Sequence, residues 1–270
     1  MQTPIDISIV TYNSARWLNT FFNSLCNQRY PLQQLNLFIH DNSSTDGTYV
    51  ECQKLQKSLN HRFASFTLTQ EPNKGFGYGH NQNFHKGNAP FFLVTNVDLE
   101  FEPDALIEMI KMVNNELDEK VASFEFRQKP YEHPKYYHPV TLETPWSSSA
   151  CVLFRRSAFK AINGYEEKIF LYGEDVEISY RLRDHGYSLK YCPRAVCWHY
   201  TYNNPRELKP LQYFGSKTAN IYIRLRYGNI LEIINGFIFY LVLFFIPARI
   251  DHRISTLFKN FFAILKNTPY

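Results

Sequence analysis

The feature that most constrains this chain is an alternation, at short intervals through its first half, of strand-like apolar runs and segments with helical apolar spacing. Ile5 to Val10 reads as a strand, mostly apolar at alternate positions. From Trp17 the apolar residues Trp17, Leu18, Phe21, Phe22 and Leu25 fall at helical spacing, and Asn13 or Ser14 would cap that helix. Leu35 to His40 reads as a second strand, and the polar turn Asp41 to Gly47 opens a helix through Tyr49, Val50 and Leu55. Phe66 to Thr69 and Phe91 to Val94 read as further strands, the latter apolar throughout, as a central strand of a parallel sheet is. Pro103 suits a first helical turn, with Leu106, Met109, Ile110 and Val113 facing inward. This order predicts an α/β fold with a doubly wound, mostly parallel sheet.

In such sheets ligands bind beyond the carboxyl ends of the strands. Thr11-Tyr12-Asn13, Asp41-Asn42 and Asn96-Val97-Asp98 all fall at those ends. Residues 127–146, rich in Pro, Tyr and His, read as a long loop, a kind of segment that is often functional. A strand from Ala150 to Phe154 and a helix from about Glu174 to His185 follow. The length of 270 residues suits one large domain with a helical appendix. The division expected is a catalytic domain over 1–210, its nucleotide-binding half 1–100 and acceptor half 101–210, and a helical tail over 211–270.

The tail has its own character. Ile233 to Ile246 carries no charge but falls short of the roughly 20 residues that span a bilayer. Arg249, His252 and Arg253 follow. Then Ile254, Leu257, Phe258, Phe261, Phe262 and Leu265 recur at helical spacing beside Lys259 and Lys266. That pattern suits a helix lying in a membrane interface, or a helix pair packed on the domain or in a homodimer. Five scattered cysteines with no CxxC pair read as reduced thiols, and a start without a basic and apolar leader reads as non-secretory. A net charge of +4 is too mild to argue for nucleic acid.

Five motifs in series then carry a resemblance. Ile7 to Asn13, Asp41 to Thr48, Asn73 to Gly77, Thr95 to Asp98, and Gly173 to Glu177 with Arg181 resemble the family 2 glycosyltransferases with the GT-A fold. The look is closest to bacterial rhamnosyltransferase-type enzymes of surface-polysaccharide assembly. The resemblance implies an inverting transferase with a UDP- or dTDP-sugar donor, dTDP-rhamnose being one candidate. It implies a polyprenyl-linked glycan acceptor, work at the cytoplasmic face of the cell membrane, and a Mg²⁺ or Mn²⁺ cofactor.

Roles follow from that resemblance together with the chemistry. Asp41 would accept hydrogen bonds from a uracil or thymine N–H, with Thr11, Tyr12 and Asn13 around the base; the competing reading is a turn or capping Asp. Asn73 and Gly75 lie in a loop where glycine allows close backbone approach to a ligand. Asn96-Val97-Asp98 stands in the place of the Asp-x-Asp metal motif; its first acid is Asn, so Asp98 must carry most of the charge at the ion. His199 matches the place of a third metal ligand, or is simply packed among aromatics. Asp175 is the expected base, at a helix N-terminus that favours its ionised form. Trp146, Ser147 and Glu174 would shape the acceptor site. One base and one in-line displacement give inversion.

Two other classes fit the sequence less well. A sugar nucleotidyltransferase needs a glycine-rich basic loop near the N-terminus, and Ile9 to Ser14 has no Gly, Arg or Lys. A non-catalytic sugar-nucleotide or glycan-binding subunit of a membrane polysaccharide complex would be expected to lose one of Asp41, Asp98 and Asp175, which are all present.

Overall fold

The computed structural model describes residues 3–200, 210–245 and 253–267. Its centre is one eight-stranded sheet in the order β3-β2-β1-β4-β7-β6-β8-β5. The strands are β1 Ile5–Thr11, β2 Leu35–Asp41, β3 Ser65–Gln70, β4 Phe91–Thr95, β5 Leu99–Phe101, β6 Val121–Lys129, β7 Cys151–Arg155 and β8 Ser188–His199. β1, β2, β3 and β4 are mutually parallel, whereas β7 runs antiparallel to β4 and to β6. From β1 the chain steps outward to β2 and β3, then crosses back to place β4 on the other side of β1. That reversal opens a crevice beyond Thr11 and Thr95, the topological switch point where open α/β sheets bind ligands.

Helices cover both faces, which is why the central strands are buried on both sides. α1 (Ala15–Cys26), α2 (Thr48–Leu59) and α4 (Ala105–Asn115) pack on one face through Phe21, Phe22, Cys52, Leu106 and Met109, against Ile5, Ile7, Ile9 and Leu93. α3 (Phe76–Phe84), α5 (Arg156–Ala161) and α6 (Glu174–Asp184) cover the other through Phe84, Phe159, Ile178 and Leu182, against Phe92, Val94 and Phe154. The polar alternate positions of β1 are therefore not solvated. Asp6 is fully buried and meets Arg156 Nη2 at 2.5 Å, Asn36 Nδ2 at 2.8 Å and the Ala89 N–H at 3.0 Å. Ser8 meets His80 and Asn83. The Asp6 carboxylate and the Ser8 hydroxyl thus each find the partners that burial demands.

Several local expectations change. The loop that holds Asn73 ends at Gly75, and Gly77 and Gly79 lie inside α3. Ser14 precedes α1, but its hydroxyl donates to the Tyr12 carbonyl; the Ala15 N–H is met instead by Asp46 Oδ2 at 3.1 Å. β6 runs on to Lys129, shortening the long loop. The cysteines among the described residues are free thiols, as expected.

α7 (Pro210–Tyr227), α8 (Ile230–Val242) and α9 (Arg253–Asn267) form a further layer with its own core of Phe214, Ile221, Tyr240, Leu243, Leu257 and Ile264. α7 is tied to the sheet domain. Arg226 Nη1 and Tyr222 Oη meet Glu166 at 2.6 and 3.0 Å, and Tyr227 Oη donates to Glu177 at 2.7 Å. Gly173, at φ +101°, lets α7 close in: a Cβ there would sit 2.3 Å from that of Ala219. Ile246, Arg249, His252 and the side chains of Arg253 and Leu265 lie outside the described residues. No helix among the described residues is long and apolar enough to cross a membrane.

Candidate active site

At the switch point lies a cleft of about 500 Å³, with Tyr12, Asn13, Asn42, Asn73, Asn96 and Asp98 in its walls. Asn13 is held there in a left-handed conformation, φ 50°, its Oδ1 accepting from the Thr45 N–H at 2.8 Å. Beside the cleft is a smaller pocket of about 220 Å³, bordered by Asp98, His133, Ser149, Glu174, Asp175 and His199. The two share Phe76, Asn96, Asp98 and Leu171, so they are halves of one site.

Sheet register explains how distant residues meet. β7 runs antiparallel to β4 with Cys151 opposite Thr95, so the 147–150 segment arrives at the same rim as Asn96, whose N–H donates to the Ala150 carbonyl at 2.8 Å. β5 pairs antiparallel with β8, Leu99 opposite His199, which sets the His199 ring beside Asp98. His199 Nε2 lies 3.4 Å from Asp98 Oδ1, and Nδ1 is 2.9 Å from Gln128 Oε1. An amide oxygen only accepts, so Nδ1 is the donor in that pair, and Nε2 is the ring atom that faces the carboxylate. Two electron-pair donors so placed suit a divalent cation: ligands at right angles about 2.1 Å from one ion stand roughly 3 Å apart. No group of three or more His, Cys, Asp or Glu able to hold a metal occurs among the described residues. Asp98 and His199 would hold the ion, with remaining positions left to a ligand's oxygens.

Glu174 and Asp175 open α6, whose N-terminal dipole favours negative charge. Asp175 Oδ1 accepts from the Val176 N–H at 2.8 Å. Burial raises the Asp175 pKa, against the Val176 N–H bond, the Lys135 charge and a backbone bond from Ser149. Glu174 is buried, and its Oε2 makes no hydrogen bond. Burial first, and the Asp175 charge second, push Glu174 up to about 8. The two carboxyls therefore share one negative charge at neutral pH, and the better-stabilised Asp175 holds it.

The Glu174 shift has a consequence for stability. The folded state keeps the Glu174 proton up to about pH 8, while the unfolded chain releases it near the ordinary 4.5. Folding then takes up a proton in between, and stability falls as pH rises through that window. Glu174→Gln is expected to flatten this slope, leaving what Asp175 and Glu125, also raised by burial, contribute, so that its stability relative to wild type is greater at about pH 8 than at about pH 5 by on the order of 3 kcal/mol. Urea unfolding of both proteins at about pH 5 and about pH 8 checks it; parallel losses would show that Glu174 is not the proton-binding group.

Sequence reasoning missed Lys135 and His133, which come from the long loop. Lys135 Nζ is buried between Glu125 Oε2 at 2.6 Å, the Trp146 carbonyl at 2.7 Å and the Trp146 ring face at 3.8 Å. Burial lowers the Lys135 pKa and raises Glu125 to about 7, each against the attraction of the other. His133 Nε2 meets Ser148 Oγ at 3.1 Å, and burial with the Lys135 charge lowers it to about 4, leaving the ring neutral. Their only sequence signal was a loop dense in ionisable and aromatic residues.

Other expected site residues stand differently. Asp41 is fully buried beneath the cleft, where its carboxylate accepts from Thr11 Oγ1, Ser44 N, Ser44 Oγ and Gln70 Nε2 at 2.6 to 3.0 Å. Contact with a base through Asp41 would require one of these to give way; Asn42 lines the cleft beside it. Thr11 is likewise beneath the floor, and Tyr12 stands exposed at the edge. Gly75 borders the cleft, but its close approach is to protein. At φ +105°, a Cβ there would come 2.5 Å from the Phe170 carbonyl oxygen. Ser147 is buried against Ser123 and Ser179, and Trp146 acts behind the pocket on Lys135 and His133. Arg181 turns away to Glu177 and the Ile162 and Gly164 carbonyls.

Residues 6–163 match the model of glycosyl transferase family 2. The chain belongs to this family. It is similar, at 25% identity over 260 residues, to a dolichyl N-acetyl-α-D-glucosaminyl phosphate 3-β-D-2,3-diacetamido-2,3-dideoxy-β-D-glucuronosyltransferase of Methanococcus voltae, covering 88% of this chain and 80% of that one. It is 26% identical over 226 residues to the O-antigen chain rhamnosyltransferase WbaN of Salmonella anatum, covering 74% and 67%. The mannosyltransferase PcManGT of Pyrobaculum calidifontis, solved with GDP-Man and Mn²⁺, superposes with a TM-score of 0.64 at 15% identity, over 100% of this chain and 77% of that one. The fold is the GT-A type, and the protein is a glycosyltransferase.

Proposed function

We propose that this glycosyltransferase moves a sugar, with inversion, from a UDP- or dTDP-sugar to a lipid-linked glycan in bacterial surface-polysaccharide synthesis. The observation that carries the reading is the shared wall: Asn96 and Asp98 belong both to the large cleft and to the pocket holding Asp175. A donor laid in the cleft brings its diphosphate to Asp98 and its anomeric carbon toward the base. Asp98 and His199 would hold Mg²⁺ or Mn²⁺, which supplies positive charge to the departing diphosphate when bound. Asp175 takes the proton of the acceptor hydroxyl. Neutral Glu174, with a buried oxygen unsatisfied, orients that hydroxyl and is a poor nucleophile, which favours a single displacement. The rhamnosyltransferase and dolichyl-phosphate relatives support a deoxysugar such as rhamnose and a polyprenyl-linked acceptor. The donor is tested by thermal shift with UDP, dTDP and GDP, with and without Mn²⁺. A ligand at a hundred times its Kd stabilises by roughly 2.7 kcal/mol. Absence of any Mn²⁺-dependent shift would sink the reading.

In the same reading the sheet domain 1–210 does the chemistry, and the 211–270 tail holds it on the inner face of the cell membrane. Ile234, Ile238, Leu241, Val242 and Phe245 are exposed in and just after α8, and Ile254, Phe258 and Phe262 on α9, with Lys259 and Lys266 exposed beside them. An exposed apolar face of this kind marks a membrane or protein contact. Each lysine adds about 1 kcal/mol near an anionic leaflet. Flotation with anionic liposomes is expected to carry the full chain upward at low salt, and a chain ended after Gly228 to stay below. A full chain that stays at the bottom as a dimer, made monomeric by that truncation, assigns the face to a second subunit.

A further inference from the structure

A third cavity, of about 330 Å³, lies outside the chemistry just described. It runs between the 168–171 segment, α7 and α9, and its walls include Phe170, Leu171, Leu211, Phe214, Ala263 and Ile264. Three of these residues, Phe170, Leu171 and Leu211, also border the donor cleft, and Leu171 borders the base pocket as well. The groove is mostly apolar, with Lys168, Thr218, Thr256 and Asn260 also on its walls, and it adjoins the active site at one end. On α9, Ala263 follows the exposed Phe262 directly, so the other wall of the groove is the helix that carries an exposed apolar stripe.

From this geometry we infer that the groove binds the first isoprenoid units of the lipid-linked acceptor, an inference that rests on the transferase reading above. Continuity in both directions favours that occupant. An acceptor sugar at Asp175 is joined through phosphate to an aliphatic chain, which must leave the pocket along an apolar path toward the bilayer. Leu171 marks the junction of pocket and groove, and the α9 face marks the lipid side. The volume is at the low end of small-ligand pockets, roughly 300–1,000 Å³, so a short stretch of chain is held and the rest stays in the membrane. A polar glycan chain gains little from the aliphatic and aromatic walls, whereas burying apolar chain against them gains about 25 cal/mol per Å².

The test is titration of the full chain with farnesyl monophosphate, and with inorganic phosphate, in the presence of saturating UDP and Mn²⁺. Farnesyl monophosphate is expected to bind and inorganic phosphate to give no response. Ala263→Trp and Thr256→Trp, which fill the groove from the surface of α9, are each expected to weaken farnesyl monophosphate by about tenfold or more, with UDP affinity unchanged. Equal affinity in wild type and both variants overturns the inference, because the isoprenoid then binds elsewhere, such as on the exposed helix faces. Failure of the wild type to bind farnesyl monophosphate overturns it too, as does a shift of the variants from dimer to monomer without an isoprenoid effect, which makes the groove a subunit contact. The UDP titration reports on the donor reading separately, so a protein that binds UDP but no isoprenoid loses this inference alone.

Discussion

Asp175→Asn is expected to lower turnover by about 10²- to 10⁴-fold, the usual effect of removing a general base, while leaving nucleoside-diphosphate affinity unchanged. Asn keeps the size of the side chain and can still meet the Val176 N–H through its amide oxygen, so the first turn of α6 stays in place. It cannot take a proton. The donor cleft is bordered by Asp98 and Asn96 but not by Asp175, which is why binding and turnover should separate. Turnover within a factor of about three of wild type would remove Asp175 from the base role and point to Glu174. The pH profile adds a second check. Burial raises the Asp175 pKa, so the acidic limb of kcat/KM should lie above the ordinary carboxylate range, and it should vanish in the variant's residual activity.

Asp98→Ala is expected to lower turnover by about 10²-fold or more and to weaken UDP or dTDP binding only when Mn²⁺ or Mg²⁺ is present. Asn96 carries no charge, so Asp98 is the acid of its motif. His199 alone, held by Gln128, offers one bond and no negative charge. Titrations in Mn²⁺ and in EDTA distinguish a metal role from a structural one. Equal losses of affinity in both would mean that Asp98 does not act through an ion. His199→Ala should show the same metal dependence with a smaller loss, because the carboxylate supplies the charge.

Much of this protein could be read along the chain because the signals involved are local. The strands β1, β2, β3 and β4 end within a residue or so of where their apolar runs end, and β1, β2 and β4, covered on both faces, are apolar at the core positions because burial demands it. α4 buries the residues that its spacing marked, α6 lies within a residue of its expected bounds, and the polar clusters at strand ends do gather at the switch point, because a parallel sheet puts all its carboxyl ends on one side. Glu174 and Asp175 open α6 because Gly173, in a left-handed conformation, ends the preceding chain there.

What the sequence could not determine depends on contacts between segments far apart. Asp41 sits at the end of its strand as the motif requires, yet whether its carboxylate faces a ligand or the protein depends on Ser44 in the turn just after it and on Thr11 and Gln70 arriving from two other strands. His199 could be weighed only as ligand or packing residue until the antiparallel pairing of β5 with β8 set it beside Asp98, 101 positions earlier. Lys135 had no periodicity to mark it, because an irregular loop acquires its meaning from what it covers; only the fold buries its ammonium against Glu125 and brings its charge to Asp175. The tail gave up its apolar spacing to inspection, but its division into an inward core, an outward face and a groove leading to the active site came from packing of α7, α8 and α9. Residue type and spacing determine what a segment can do locally, whereas burial, register and long-range neighbours decide which groups meet and which charge each carries.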